Sequence, residues 1–433
     1  MERRQKIRLV RYDVPELDRH LFFNPASASI VVTDTLGASL IEAYLKGEAG
    51  DETFIESVWS RGLFEIPDDT DYGVVPNRLI IELTSACNLR CKTCYMAAAT
   101  ALEDELSTEE VKQLLSEAAQ AGTKSVALMG GEPFLRKDIG EIVKFALARF
   151  SDVQVSTNGT IINEGFFRSL KGTSNLTIQV SLDGADPRSN DAIRGKGAFE
   201  RASRLLDRAH AAGLKTAISG VLNSLNYNLV GKMCDFAYDK HARMTIFHKV
   251  HVVGRAESFP EILPSKQELM HGMGVLLNKF HEYEISGKMI VDFPHNRCFR
   301  GDRALDARYP GCHFGRAFAF VTSNGNLVCC SHLRDGEFVY GNIREGGLLE
   351  IWQSSEHLNY MRELTVDEIP SCSQCEFKYM CRASCRADAY ANSGTLLGDP
   401  PDCEALKAYY RYVLDHFARN TEPTLPRSKP CSS

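Results

Sequence analysis

The chain has 433 residues, is 44% hydrophobic and 24% charged, and carries a formal net charge of −6. Its length supports two or three domains with buried cores, and its acidic balance argues against a nucleic-acid binder acting through bulk positive charge. Met1-Glu-Arg-Arg-Gln-Lys6 is not followed by a signal-peptide core, and no apolar run is long enough to span a bilayer. A cytoplasmic protein with neither nucleic-acid nor membrane partners is expected.

Residues 1–75 read as a small α+β unit. Ile7–Tyr12, Leu21–Asn24 and Ser29–Thr33 are short strand-like runs. Thr35 is placed to cap a helix through Leu45 that Gly47 closes, and a second helix covers Glu52–Ser60. Pro67–Gly73 has linker chemistry. From 76 to 260, strands alternate with helices. The strands are Leu79–Leu83, Ser125–Met129, Val153–Ser156, Leu176–Ser181, Thr216–Leu222 and Met244–His248. Helices fall near 108–121, 138–149, 164–171, 197–212 and 227–239, the first opened by a capping box of Ser107 and Glu110. Six such units imply a parallel sheet with right-handed crossovers. Six are too few for a full barrel. The expected fold is therefore α/β: a partial (β/α)6 TIM-like barrel, with a small α+β N-terminal domain and a cysteine-rich C-terminal domain. Reactive groups then belong at the C-terminal ends of the strands. Residues 261–295 read as a helical connector. In 296–410 cysteines, glycines and turns replace the alternation, and metal clusters are the expected staple. Residues 411–433 read as a helix end and a mobile polar tail.

Fourteen cysteines in a cytoplasmic chain point to metal or redox chemistry rather than disulfides. They are clustered. Cys87, Cys91 and Cys94 lie in Ile81-Glu-Leu-Thr-Ser-Ala-Cys-Asn-Leu-Arg-Cys-Lys-Thr-Cys-Tyr-Met96, directly after the first barrel strand. Three thiolates on one loop grip three corners of a four-iron cubane and leave the fourth iron open to a chelating ligand. A zinc knuckle needs four ligands, and no fourth Cys or His is near. Gly130-Gly131-Glu132-Pro133, Ser156-Thr157-Asn158-Gly159, Ser181-Leu182-Asp183-Gly184 and Val221-Leu222-Asn223 end successive strands, and Arg194 follows the Ser181–Gly184 turn. Each alone is an ordinary turn, and their order is the signal. The second cysteine group is Cys312, Cys330, Cys372, Cys375, Cys381, Cys385 and Cys403, with Gly325 before Cys330. A treble-clef zinc site on Cys372–Cys385 would leave Cys312, Cys330 and Cys403 unexplained. Cys234 falls on an apolar helix face and reads as core, and Cys431 as incidental.

The CxxxCxxC loop and its companion turns resemble the radical S-adenosylmethionine (SAM) superfamily across roughly residues 78–405. The resemblance implies a [4Fe–4S] cluster on Cys87, Cys91 and Cys94 and S-adenosyl-L-methionine as cofactor, cleaved reductively to a 5′-deoxyadenosyl radical. It places the methionine amine on the Gly130–Pro133 turn. Further cofactor contacts come from Gly131, Ser181, Arg194 and Leu222, with Thr93 near the adenine and Ser156, Asn158 and Asp183 at neighbouring strand ends. Glu132 and Pro133 belong to the same turn. The C-terminal pattern is similar to the SPASM domain, which implies a cysteine-rich C-terminal iron–sulfur domain with two auxiliary [4Fe–4S] clusters. Cys372, Cys375, Cys381 and Cys403 would hold the second, and Cys312, Cys330 and Cys385 the first. Two departures stand out. Phe318 occupies the position of a further cluster cysteine, leaving an open iron or recruiting Cys298 or Cys329. Ser331 stands where sulfatase-maturing members carry an aspartate, which disfavours that activity. A cytoplasmic donor such as flavodoxin or ferredoxin would supply the electron.

SPASM proteins mostly modify ribosomally made peptides, and some relatives act on tetrapyrroles. Residues 1–75 resemble the peptide-recognition element of RiPP (ribosomally synthesised, post-translationally modified peptide) maturases, lacking its third helix. Such elements bind a leader peptide as an added strand. The alternative is that this unit only props the barrel. His248, Lys249 and His251 are expected at the barrel mouth, with Tyr95 and Met96 as packing. Three readings follow: a maturase of a precursor peptide, an enzyme acting on a small molecule such as a tetrapyrrole side chain, and a non-catalytic zinc-binding interaction protein.

Overall fold

The computed structural model describes residues 7–48, 50–66, 74–294, 296, 309–311 and 315–426. The chain forms two compact units. One comprises Met1–Thr70, His295–Cys312 and Leu364–Ser433, and the other Asp71–Pro294 and His313–Glu363. These groupings cut across the boundaries expected from sequence. Residues 313–363 belong with the barrel strands, and the N-terminal residues with the C-terminal ones.

In the first unit, β1 (Val10–Val14), β2 (Arg19–Asn24) and β3 (Ser29–Thr33) make an antiparallel sheet in the order β1-β2-β3. The helices Thr35–Lys46 and Glu52–Ser60 cover it. Phe22 and Val31 pack there with Ile41, Phe54, Val58, Leu63 and Phe64. The helix cap is Asp34 rather than Thr35. Its carboxylate accepts from the Gly37 N–H, satisfying an otherwise unpaired donor, while Gly47 closes the far end with φ 87°. The long helix Cys403–Asn420 belongs to the same unit and lies against β1 and β2. The Arg19 guanidinium donates to the carbonyls of Ala418 and Arg419 at that helix's end. The tail expected to be mobile is tied down as far as Thr424, which is buried and bonded to β3. Residues 427–433 lie outside the described residues.

The second unit holds β4 (Arg78–Glu82), β5 (Ser125–Met129), β6 (Asp152–Thr157), β7 (Leu176–Ser181), β8 (Lys215–Leu222) and β9 (Met244–Lys249), all parallel neighbours. Helices follow the strands as expected, with one addition. Pro187–Arg194 is helical, capped by Asp186 with proline in its first turn. β10 (Ile290–Asp292) adds in parallel to β9, and β11 (Phe318–Val321) adds in parallel to β4. β12 (Asn326–Val328) and β13 (Val339–Asn342) continue from β11 as an antiparallel extension. The order β10-β9-β8-β7-β6-β5-β4-β11-β12-β13 is linear, so the barrel is open. The sequence reading missed these four strands: β10 falls in the expected helical connector 261–295, and β11, β12 and β13 in the region beyond 295 that was taken to lack a core. Phe318 and Phe320 instead pack with Ile80 and Ala127.

Register divides the sheet into two faces. Leu79, Ile81, Val126, Leu128, Val153, Val155, Ile178 and Val180 are fully buried on the helix side. The opposite face is polar at β6 and β7. Arg78 donates to Gln154, and Gln154 in turn donates to Gln179 and Ser156. Such a face is what a partial barrel needs to hold a polar ligand.

The capping box of Thr108–Ala121 also carries a surface tie. Arg344 pairs with Glu110, and this bond, with those from Ser107, holds the Glu110 carboxyl at about 2, below its usual 4.5. A depressed acid stabilises the fold above its unfolded pKa and loses that contribution as pH falls through its folded one. We therefore expect Arg344→Ala to cost under about 1 kcal/mol at neutral pH, the pair being a third exposed. The difference from the unchanged chain should vanish as pH drops from 4.5 toward 2, and urea titrations across that range check it.

Candidate active site

β4 ends at Glu82, and the chain enters the loop that carries Cys87, Cys91 and Cys94. Backbone bonds fix the loop. The Cys87 N–H donates to Ala99 O (3.1 Å), and Lys92 N–H to Ile193 O (3.0 Å). Arg255 clasps the loop from the segment after β9. Its guanidinium donates to the carbonyls of Cys91 (2.9 Å) and Ala98 (2.8 Å), and its backbone N–H to that of Cys94 (2.9 Å). Gly254 makes this approach possible. Its φ is +61°, and a Cβ there would lie 2.2 Å from Tyr95 O. The three thiols are close enough to act on one another electrostatically. Burial pushes the Cys91 thiol up to about 11 against the opposing charge of Arg194. Burial likewise raises Cys87, whose sulfur accepts from Leu89 N–H (3.5 Å) and Asn158 Nδ2 (3.8 Å). The N–H donors aimed at the Cys87 sulfur favour the thiolate that iron ligation requires, against the burial that raises both thiols.

The Gly130–Pro133 turn is laced to the same loop. The N–H groups of Gly131 and Glu132 donate to Thr84 O and Ala86 O, each at 2.7 Å. These two donors are thus engaged within the protein, and Leu135 and Arg136 N–H groups donate to the carbonyls of Glu132 and Pro133, so the carbonyls of Gly130 and Gly131 are what the turn can offer, the polarity an amine requires. A Cβ at Gly131 would stand 2.1 Å from Ala86 O, a backbone atom that cannot swing aside. Gly131→Ala should cost about 1–3 kcal/mol of stability by forcing the cysteine loop outward. We expect it to lower SAM cleavage at least about tenfold, measured as 5′-deoxyadenosine released per protein.

The structure sorts the other residues expected at this site. Ser156 and Ser181 lie on the polar face, in register with Gln179 and Ser219. Thr93 is half-buried between the second and third cysteines. Asn158 donates to Asn88 at 2.8 Å beside Cys87. Glu132 is fully buried, and its oxygens accept from Asn158 N–H (2.7 Å), Thr157 Oγ1 (2.8 Å) and Phe134 N–H (3.0 Å). It therefore joins two strand ends instead of facing a ligand. Asp183 is also fully buried. It accepts from Val221 N–H at 2.7 Å and stands 2.8 Å from Arg194 Nε. Burial alone would weaken the Arg194 charge, but Asp183 and the nearby thiols of Cys91 and Cys94 more than restore it. Leu222 departs from expectation. It is fully buried, and a Cβ on Gly272 of the helix Lys266–Lys279 would come within 2.8 Å of its side chain. Leu222 therefore lies on the helix side of β8, while its neighbour Val221, in register with His248, shares the polar face.

A group that sequence reasoning missed lies beside the cysteine loop. Glu82 is fully buried and takes a two-pronged grip from Arg334, with N–O distances of 2.9 and 2.8 Å. Tyr95 donates to the same carboxylate at 3.3 Å. The Tyr95 ring stands 5.8 Å from that of His332, which lies 4.2 Å from His251. An acid inside an otherwise apolar strand, five residues before a ligand cysteine, was the available signal.

Cys330 follows β12. Its sulfur accepts from the N–H groups of His332 (3.4 Å) and Leu333 (3.3 Å). Ser331 sits beside it with its hydroxyl 3.3 Å from His332 Nδ1. Cys329 is buried next to it. Cys312, Cys298 and Cys431 lie outside the described residues. In the other unit, Cys372, Cys375, Cys381 and Cys403 line one cavity with Phe377, Lys407 and Tyr410. The mutual repulsion of these four thiols adds to burial in raising Cys381. Cys385 follows a left-handed stretch in which Arg382, Ala383 and Ser384 all have positive φ, a conformation that L-residues adopt at a cost. Arg382 O accepts from Gly311 N–H and Ser384 N–H donates to Cys381 O, so the stretch is braced at both ends. Cys234 is buried core, its thiol pushed up to about 12 chiefly by desolvation.

Residues 81–237 match the Radical SAM superfamily, and residues 312–376 match the SPASM iron–sulfur cluster-binding domain. The chain belongs to the radical SAM superfamily. It is 30% identical over 349 residues to the AdoMet-dependent heme synthase of Methanosarcina barkeri, covering 76% of this chain and 96% of that protein. It is 31% identical over 333 residues to the mycofactocin maturase MftC of Mycobacterium ulcerans, covering 76% and 88%. Among solved structures, Streptococcus suis SuiB bound to S-adenosylmethionine superposes with a TM-score of 0.63 at 16% identity, over 91% of this chain and 98% of SuiB. Native anSMEcpe with bound AdoMet gives 0.64 at 18%, over 80% and 100%. The two structures share the fold. Membership makes this chain a radical SAM enzyme with iron–sulfur clusters and S-adenosylmethionine as cofactors, and it sets aside the zinc-binding interaction protein. Among the described residues, no helix is long and apolar enough to cross a membrane.

Proposed function

We propose that this radical SAM enzyme modifies a ribosomally made precursor peptide, through a crosslink, a thioether or a related change at a carbon that loses hydrogen. The observation that carries this reading is the three-stranded N-terminal sheet, in which β3 is an edge strand, the kind of element to which an extended peptide can add. The likeness to a mycofactocin maturase supports it. When bound, a [4Fe–4S] cluster and S-adenosylmethionine supply a 5′-deoxyadenosyl radical able to take hydrogen from an unactivated carbon. The chain's own residues prepare that chemistry. Cys87, Cys91 and Cys94 provide three thiolates on a loop braced by Arg255. The Gly130–Pro133 turn presents carbonyls to an amine. Arg194 holds positive charge beside the cysteines, with Asp183 keeping it in place. Ser156 and Ser181 line the polar face. In the other unit, Cys372, Cys375, Cys381 and Cys403 would hold the second auxiliary cluster. Cys330 would serve the first, with Cys312 and Cys385. A flavodoxin- or ferredoxin-type donor would supply the electron.

A second reading is favoured by one observation. The heme synthase relative is as similar as the maturase, and nearly its whole length is covered. An enzyme acting on a tetrapyrrole side chain fits that likeness. One experiment separates the two. The reduced protein is incubated anaerobically with SAM and either small peptides encoded beside its gene or iron-coproporphyrin, and the products are weighed by mass spectrometry. A SAM-dependent mass change in a peptide is expected. A change in the porphyrin alone would replace the first reading with the second.

A further inference from the structure

An outermost strand leaves half of its backbone donors and acceptors unpaired, and natural sheets cover such edges. β3 pairs with β2 on one side only. Its outer side is met by the chain's own C-terminal residues. Beyond the helix Cys403–Asn420, the N–H of Thr424 donates to Val32 O at 2.6 Å. The hydroxyl of Thr33 donates to Thr424 O, also at 2.6 Å. Val32 and Thr33 are fully buried, and Thr424 is 8% exposed. The path to the edge is anchored upstream, where Arg19 holds the carbonyls of Ala418, Arg419 and Thr421.

The sequence of this segment, Glu422-Pro-Thr-Leu-Pro426, limits how well it can pair. Two of its five residues are prolines, which have no N–H to give a ladder. Each also pushes the residue before it into an extended conformation. The segment thus favours an extended course but can make only part of a strand's bonds. An extended peptide with a full set of N–H donors would pair better at the same edge.

We propose that Glu422–Pro426 keeps the outer edge of β3 closed until an extended peptide displaces it. The partner class rests on the peptide-maturase reading, whereas the closure rests on the contacts of Thr424 alone. The enzyme would then meet its substrate only after an exchange of strands, an unproductive tail for a productive leader.

The test uses the full-length, cluster-loaded protein and a fluorescent synthetic peptide of residues 421–433 carrying Pro423→Ala and Pro426→Ala. Thr424→Pro in the protein deletes the N–H that reaches Val32. It should tighten binding of the peptide about tenfold, the worth of one or two hydrogen bonds. It should also speed hydrogen exchange at the β3 amides. Thr33→Val removes only the side-chain bond and should act in the same direction, more weakly, which guards against a local misfolding of the proline variant. Equal affinity in all three proteins with unchanged exchange would overturn the proposal. Binding that tightens as expected while no precursor peptide is ever modified would leave the closure standing and defeat the maturase reading instead.

Discussion

Cys91→Ala, made in the full chain and reconstituted anaerobically, is expected to lower SAM cleavage by about a thousandfold or more while the auxiliary clusters remain. The size of the effect follows from the loop. Cys87, Cys91 and Cys94 leave no spare thiol on this segment, and the neighbouring donors to sulfur serve Cys87. Two thiolates cannot hold a cubane that needs three corners from protein. Cys87→Ala and Cys94→Ala should behave alike. Iron analysis should show the loss of one cluster's iron, and the release of 5′-deoxyadenosine should fall to background. Cleavage that survives in any of the three would disprove the assignment of this loop.

The second large effect is expected at Glu82. Removing its carboxylate by Glu82→Ala leaves the Arg334 guanidinium held in place without its counter-ion. Breaking a buried pair in this way costs about 3–5 kcal/mol. Replacing both partners by methionine should recover much of that loss, since two desolvated charges are then absent together. Urea unfolding of the two single variants and the double one reads the coupling directly. The pair does more than stabilise. It joins the strand that enters the cysteine loop to the segment that leaves Cys330, and Tyr95, next to Cys94, is bonded to the same carboxylate. The double variant, stable but untied, should therefore still bind iron and yet cleave SAM more slowly. A double variant as unstable as Glu82→Ala would show that Glu82 acts through contacts other than Arg334.

The chemistry of this chain was more legible in its sequence than the facing of individual side chains. The six barrel strands are apolar runs between helices with caps, so period and turn chemistry placed them within a residue or two. The cysteine spacings are local, and local spacing survives into the fold. Leu222 shows where such reasoning stops. A turn that ends a strand gives the position of the site, but in a strand one residue decides which face a side chain takes, and Val221 holds the polar one. Glu132 and Asp183 were legible as members of turns. That both are consumed by internal hydrogen bonds depends on partners 26 and 38 residues away. The helix Pro187–Arg194 was announced by Asp186-Pro187 and overlooked. The strand Phe318–Val321 was hidden for another reason: four residues carry too little periodicity to stand out, and only pairing with β4 makes them a strand.

That last pairing has a consequence for how the protein is made. β4 emerges early, yet its outer edge waits for Phe318–Val321, and its terminal Glu82 waits for Arg334, 252 residues later in the chain. Contacts so distant in sequence are paid for in loop entropy before they return anything, and they form late. Until then the ribosome has delivered a half-edged sheet with the cysteine loop at its rim, exposed to pairing with other chains. Iron would best be delivered after this closure, so that a chain truncated before residue 318 is expected to aggregate rather than to carry its first cluster.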